Sequence, residues 1–183
     1  WRVALSSAIA GSLACGLVAL IACHGSIMFL ESIEQLKNID PRWENALCMT
    51  SGYVAGMLIG FNGFMWSQSV IVEVYPFSLL SFMITMVCLL RWVHAPSQLR
   101  YLYWALFWFG ISFTNHMTLI VAAMGIEVAI AAANPKLGRD LFMINFVLFV
   151  IIFALHQNGI LTSFQNNPPL LHILVAVGLS SIA

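Results

Sequence analysis

Of 183 residues, 61% are hydrophobic and 8% are charged, with seven Lys+Arg balanced by seven Asp+Glu. Soluble domains carry roughly 25% charged residues, so this chain has too few to coat a water-facing surface, and an ordinary soluble protein is excluded. It has no basic run, hence nothing to attract nucleic acid.

Cys15, Cys23, Cys48 and Cys88 all lie in apolar stretches without a C-x-x-C pair. They are expected to be buried small hydrophobes and not disulfide or metal partners. The chain starts at Trp1 with no basic leader or small-residue cleavage site, and stops inside an apolar run at Ile182-Ala183. The expectation is one all-α transmembrane bundle over 1–183, a piece of a longer protein, incomplete at both ends.

Val3–Leu30 is apolar apart from His24 and a few serines, and exceeds the roughly 20 residues that cross a bilayer. Ser7, Gly11 and Cys15 recur every fourth residue, as do Ser12 and Gly16, which lets another helix approach closely. His24, with no second ligand nearby, reads as an interfacial or satisfied histidine. Glu31–Asn45 is the hydrophilic stretch and reads as a surface connector with at most one amphipathic turn. Ala46–Phe61 carries Gly52, Gly56 and Gly60, a doubled G-x-x-x-G packing face. Asn62-Gly63 supplies a turn, and Trp66 an interfacial anchor.

The next segment enters the membrane at about Trp66–Pro76 and leaves at Arg91-Trp92, with Pro76 marking a first helical turn or a kink. His94–Arg100 is a short connector. Tyr101–Ala133 is too long for one crossing and is interrupted by Phe113-Thr114-Asn115-His116, so it reads as two spans, Tyr101–Ser112 and Met117–Ala133. Asn134–Asp140 reads as a turn and Leu141–Leu155 as another crossing. His156–Pro169 reads as an uncharged polar loop, and Leu170–Ala183 begins a seventh segment.

Strict alternation of these segments puts connectors 31–45, 91–100 and 134–140 on one side. They hold Lys37, Arg42, Arg91, Arg100, Lys136 and Arg139, six of the seven cations. The positive-inside rule assigns that side to the cytoplasm. Glu73, Tyr75, Asn115, His116, His156, Gln157, Asn158 and Gln165-Asn166-Asn167 then gather at the extracytoplasmic face. Helices starting near Trp66 and Met117 would present their N-termini there, which suits anions.

The chemistry centres on W-S-Q-S-V-I-V-E-V-Y-P-F-S-L-L, residues 66–80. An ionised carboxylate deep in hydrocarbon costs at least about 2.5–3.5 kcal/mol, so Glu73 has to be hydrated, paired or used. Helical spacing puts it on one face with Trp66, Ser69 and Phe77. It reads as a base or a positioning carboxylate, against a structural pairing role. His116 is a candidate phosphate donor, with Asn115 either beside it in that role or capping the next helix. Glu127 is open between function and structural pairing. His94, His156 and His172 show no ligand-like spacing. No nucleotide loop, zinc motif or G-x-S-x-G appears.

These residues carry a resemblance. Residues 66–80, with their Glu-x-Tyr pair, and Asn115-His116-Met117-Thr118-Leu119 resemble the signatures of a multipass membrane family once of unknown function and related to protein O-mannosyltransferases. Trp1-Arg2-Val3, Ser6-Ser7-Ala8 and Arg91-Trp92 agree with it, and the likeness spans about residues 1–135. Pro76 replaces the small residue usual after the Glu-x-Tyr pair. The resemblance implies an all-helical glycosyltransferase of the C superfold. Such enzymes transfer sugar from a polyprenyl-phosphate donor at the extracytoplasmic face without a nucleotide. It also implies that the main catalytic acid lies upstream of Trp1, leaving Glu73 as an auxiliary carboxylate. Tyr75 and Ser69 would then contact sugar or acceptor, and Asn115 and His116 the carrier phosphate.

The sequence reading is therefore the transmembrane core of a lipid-linked-sugar-dependent glycosyltransferase. Its expected partners are membrane lipid, the polyprenyl-phosphate sugar donor, and a protein acceptor or other subunits of a membrane complex. No cofactor is identifiable: one carboxylate and a phosphate can share a divalent metal, but no ligand set is visible. Two other classes stand beside it. One is a non-catalytic scaffold subunit. The other is a proton-coupled transporter using Glu73, Glu127 and histidines.

Overall fold

The uninterrupted apolar stretch at the start of the chain forms α1, Arg2–Ser32. It is hydrophobic on nearly every face, as suits a helix solvated by lipid, and Leu5, Ile9, Leu13 and Leu20 are exposed. In this computed structural model the described residues are 2–34, 40–71, 74–115 and 119–158, with backbone alone at 113–115 and 120. All the elements among them are helices. They fall into two compact units, Trp1–His116 and Met117–Ala183.

In the first unit, α2 covers Pro41–Gly60. Its start is encoded locally: the Asp40 side chain accepts from Arg42 N, and Pro41, with no N–H to lose, occupies the first turn. Helix therefore takes over the last third of the stretch expected as a connector, because capping residues outweigh its polarity. α2 runs antiparallel to α1. A Cβ on Gly52 would lie 2.8 Å from Ala19 O, one on Gly56 3.3 Å from Cys15 O, and one on Gly60 3.7 Å from Cys15 Sγ. The doubled G-x-x-x-G thus seats on the small-residue face of α1. Ser51 donates to Ser26 Oγ at 3.1 Å along the same seam.

Cys23 and Cys48 are joined across this interface as a disulfide, while Cys15 and Cys88 are free. The cysteines were expected unpaired; the close helix approach that the glycines permit brings two of them together.

Phe61-Asn62 breaks the chain, and α3, Gly63–Val70, leaves at 60° to α2. α4 follows at Tyr75–His94. The expected single helix through residues 66–90 is therefore two helices, the first ending at Val70 and the second beginning at Tyr75. Pro76 denies a helix one donor, and the break places it in the first turn of α4, where that donor is not needed.

α5, Leu99–Asn115, returns antiparallel to α4: Arg91 lies over the Tyr101 ring at 5.0 Å, and Ser112 meets Ser81. The buried residues of α4 include Ser78, Ser81, Thr85, Leu89 and Trp92, a three-four spacing that draws one stripe along the helix. Three of these are hydroxyl residues whose small size permits close packing. They return their hydrogen bonds to the helix, Ser81 to Phe77 O and Thr85 to Ser81 O, both at 3.0 Å.

In the second unit, α6, Ile120–Ala133, turns at once into α7, Pro135–Gln157. Asn134 closes α6 and caps α7, accepting from Leu137 N at 3.3 Å, with Pro135 at the first helical position. The expected turn over Asn134–Asp140 is thus a single residue followed by helix, since Asn-Pro is both a breaker and a start signal. The hairpin closes tightly, a Cβ on Gly138 falling 2.5 Å from Ala131 Cα.

Three helices, α1, α4 and α7, are long and apolar enough to cross a membrane, and α2 with α3 passes the same test as a bent pair. Together with the composition, this makes the chain an integral membrane protein.

Candidate functional site

Two of the sequence-predicted residues, Ser69 and Tyr75, lie where α3 gives way to α4. Ser69 sits on α3 against the N-terminal half of α1: a Cβ on Gly11 would meet its Oγ at 2.5 Å. The glycine stripe of α1 thus makes room for a hydroxyl as well as for α2. Next to Ser69, the Gln68 side chain buries its Oε1 with no hydrogen-bond partner among the described residues, and an orphaned buried carbonyl is costly enough to require explanation.

Tyr75 is the first residue of α4, 43% exposed, with its ring edge-on to Phe64 at 6.3 Å between centroids. Val74 before it gives α4 no side-chain cap. By contrast, α3 is capped: Asn62 accepts from Phe64 N and Met65 N at 2.9 and 3.4 Å. The N-terminus expected near Trp66 is thus occupied by its own chain and not open to an anion. Because α5 is antiparallel to α4, its last residue, Asn115, comes back to the end of the unit where Tyr75 begins.

A groove of about 470 Å³ leads away from Ser69 between α1, α2 and α3, lined among others by Gly11, Cys15, Gly56, Met65, Trp66 and Ser69. Its walls are mainly apolar, small on the α1 side and larger at Tyr53, Met57, Met65 and Trp66, with the Ser12 and Ser69 hydroxyls among them.

Glu73 and His116 lie outside the described residues, as does the side chain of Asn115. Of the residues expected to share a helical face with Glu73, Trp66 and Ser69 lie on α3 and Phe77 on α4. Glu127 belongs to the second unit. Asn145 Nδ2 donates to its Oε1, while Oε2 is buried without a partner among the described residues. That pairing places an amide against a carboxyl within one hairpin, the structural reading of Glu127. His156 and Gln157 end α7. Among the described residues, no group of three or more His, Cys, Asp or Glu side chains could hold a metal ion.

Sequence reasoning passed over Gln68, an amide among apolar neighbours whose orphaned oxygen shows only after packing. It also treated His24, Arg91 and His94 separately, although α1 and α4 bring all three to one cleft. Their separation in the chain gives no local signal.

Residues 1–138 match the family model of the Protein O-mannosyl-transferase TMEM260 N-terminal domain. No curated protein and no solved structure matches the chain.

Proposed function

The chain belongs to the protein O-mannosyl-transferase TMEM260 N-terminal domain family, and from that premise we propose that it forms the membrane core of a glycosyltransferase whose sugar comes from a polyprenyl-phosphate carrier at the extracytoplasmic face. The observation that carries this reading is the match over residues 1–138, which takes in all the candidate site residues. The concentration of Ser69, Tyr75 and the end of α5 about the break between α3 and α4 supports it.

In the proposed reaction an acceptor hydroxyl attacks the anomeric carbon, the bond to the carrier phosphate breaks, and configuration inverts. The hydroxyl proton goes to an ionised carboxylate acting as general base. Charge develops on the leaving phosphate, so donors preorganised there stabilise the transition state. His116 and Asn115, with the uncapped first turn of α4, would take that role. Glu73 and Tyr75 would orient sugar or acceptor, and the groove beside Ser69 would hold the first isoprene units. The bond between Asn145 and Glu127 favours a structural carboxyl over a step in a proton path.

The test uses the full-length protein in membranes supplied with mannosyl-phosphoryl polyprenol and an acceptor. Glu73→Gln and His116→Ala are each expected to lower kcat by about 10-fold or more, as loss of a positioned polar group does. Tyr75→Phe would act mainly on KM. An active wild type indifferent to both Glu73→Gln and His116→Ala overturns the site. A folded, full-length wild type with no transfer overturns the enzyme in favour of the scaffold.

A further inference from the structure

The end of the first unit remote from Ser69 holds a second cleft, of about 560 Å³, between the C-terminal halves of α1 and α4. Its walls are hydrocarbon, with Leu20 from α1 and Val87 and Leu90 from α4, and its polar lining consists of His24, Arg91 and His94. Among the described residues, no carboxylate lines it.

Arg91 is the notable member. Among the described residues its guanidinium makes neither a salt bridge nor a hydrogen bond, and the ion pair present there is Arg139–Asp140 on the other unit. Its guanidinium instead lies over the Tyr101 ring, which Arg100 covers at 4.9 Å. Stacking holds the guanidinium plane while leaving its N–H edges unspent, and those edges match a phosphate's oxygens bidentately. On α1, His24 Nδ1–H donates to Leu20 O at 2.9 Å, which fixes the ring, and its imidazolium form has Nε2–H left to donate to a phosphate.

We propose that this α1–α4 cleft binds an anionic phospholipid, its phosphate on Arg91 between the two imidazoles and an acyl chain along Leu20, Val87 and Leu90. The complementarity is of two kinds at once. An unpaired cation calls for an anion, and the hydrocarbon walls beside it call for an apolar tail. Basic pockets between transmembrane helices recognise lipid headgroups through this combination. A lone soluble phosphate would satisfy Arg91 but leave the apolar walls uncovered. This end of the first unit also joins α4 to α5, a connector that the positive-inside rule assigns to the cytoplasm, whose leaflet holds the anionic lipids. The proposal is independent of any sugar transfer.

Native mass spectrometry of the full-length protein, titrated with phosphatidylserine or phosphatidylcholine, tests it. The wild type is expected to retain phosphatidylserine preferentially. Arg91→Gln should weaken retention by about 5-fold, the equivalent of the ~1 kcal/mol a basic residue contributes near anionic lipid. Arg100→Gln, which removes the same charge outside the cleft, should change little. Val87→Trp fills the cleft without altering charge and should also release the lipid, so the question stays decidable if Arg91→Gln fails to fold. Equal retention of both lipids overturns the proposal, as does equal loss from Arg91→Gln and Arg100→Gln. Full displacement by inorganic phosphate overturns it in favour of a soluble-anion site.

Discussion

Ser112 Oγ donates to Ser81 Oγ at 2.9 Å across the α4–α5 interface, with both hydroxyls buried. Ser112 also bonds Trp108 O within its own helix, so the inter-helix link is one of two alternatives for its proton. Interhelical hydrogen bonds of this sort contribute about 0.6 kcal/mol on average. Ser81→Ala is therefore expected to be mild, and Ser81→Leu, which wedges α4 from α5, to cost about 1–3 kcal/mol. Thermal unfolding in detergent micelles checks the order; equal effects would mean that the hydroxyl, and not the close approach, matters at this seam.

The glycines of α1 and α2 divide sharply. A Cβ on Gly52 would sit 2.8 Å from the Ala19 carbonyl, which backbone cannot easily vacate, whereas one on Gly25 meets nothing within 4 Å. Gly52→Ala is expected to lower the unfolding temperature through about 1–3 kcal/mol of overpacking. Gly25→Ala is expected to raise it slightly, by up to about 1 kcal/mol of helix propensity.

The pairing of Cys23 with Cys48 makes a covalent prediction. In the denatured, unreduced protein, two of these four cysteines, Cys15 and Cys88, should alkylate, and all four after reduction. Cys48→Ser should leave Cys23 reactive and cost about 2–4 kcal/mol. Four reactive thiols without reductant would show the α1–α2 seam held by its glycines alone.

In the second unit, Asn145→Leu strips Glu127 of its bonded partner and leaves a carboxyl stranded between α6 and α7. A cost of about 1–3 kcal/mol is expected for the orphaned group. Glu127→Gln keeps an acceptor in place and should cost less. The double variant Glu127→Leu with Asn145→Leu should recover much of the loss, since removing both partners of a buried pair is far cheaper than removing one. Unfolding midpoints of the three variants decide this.

Much of the first unit was legible in the residues themselves. The doubled G-x-x-x-G of Gly52, Gly56 and Gly60 foretold a close helix contact, because small side chains have no other use at that spacing. The two helices expected over Tyr101–Ala133 are α5 and α6, but the first runs on as helix through Asn115 and does not stop at Ser112. Pro76 foretold a first helical turn or a kink, and the former was found. The family was equally legible, carried by the Glu-x-Tyr and Asn-His elements and matched over residues 1–138.

Where local cues competed, the sequence was equivocal. Polar character suggested a connector through Asn45 and a turn through Asp140. Capping by Asp40-Pro41 and Asn134-Pro135 instead started helices there, because a satisfied N-terminus lets polar residues ride on an exposed helix face.

Composition, spacing and charge by themselves determined that this is an all-helical membrane protein and where its apolar segments lie, while the resemblance of residues 66–80 and 115–119 pointed to the family. Those properties depend on residues near one another in the chain. Which cysteines pair, that Asn145 answers Glu127, and that His24 shares a cleft with Arg91 were decided only by tertiary structure. Each joins side chains on different helices, and no periodicity within one helix specifies which face of another it will meet.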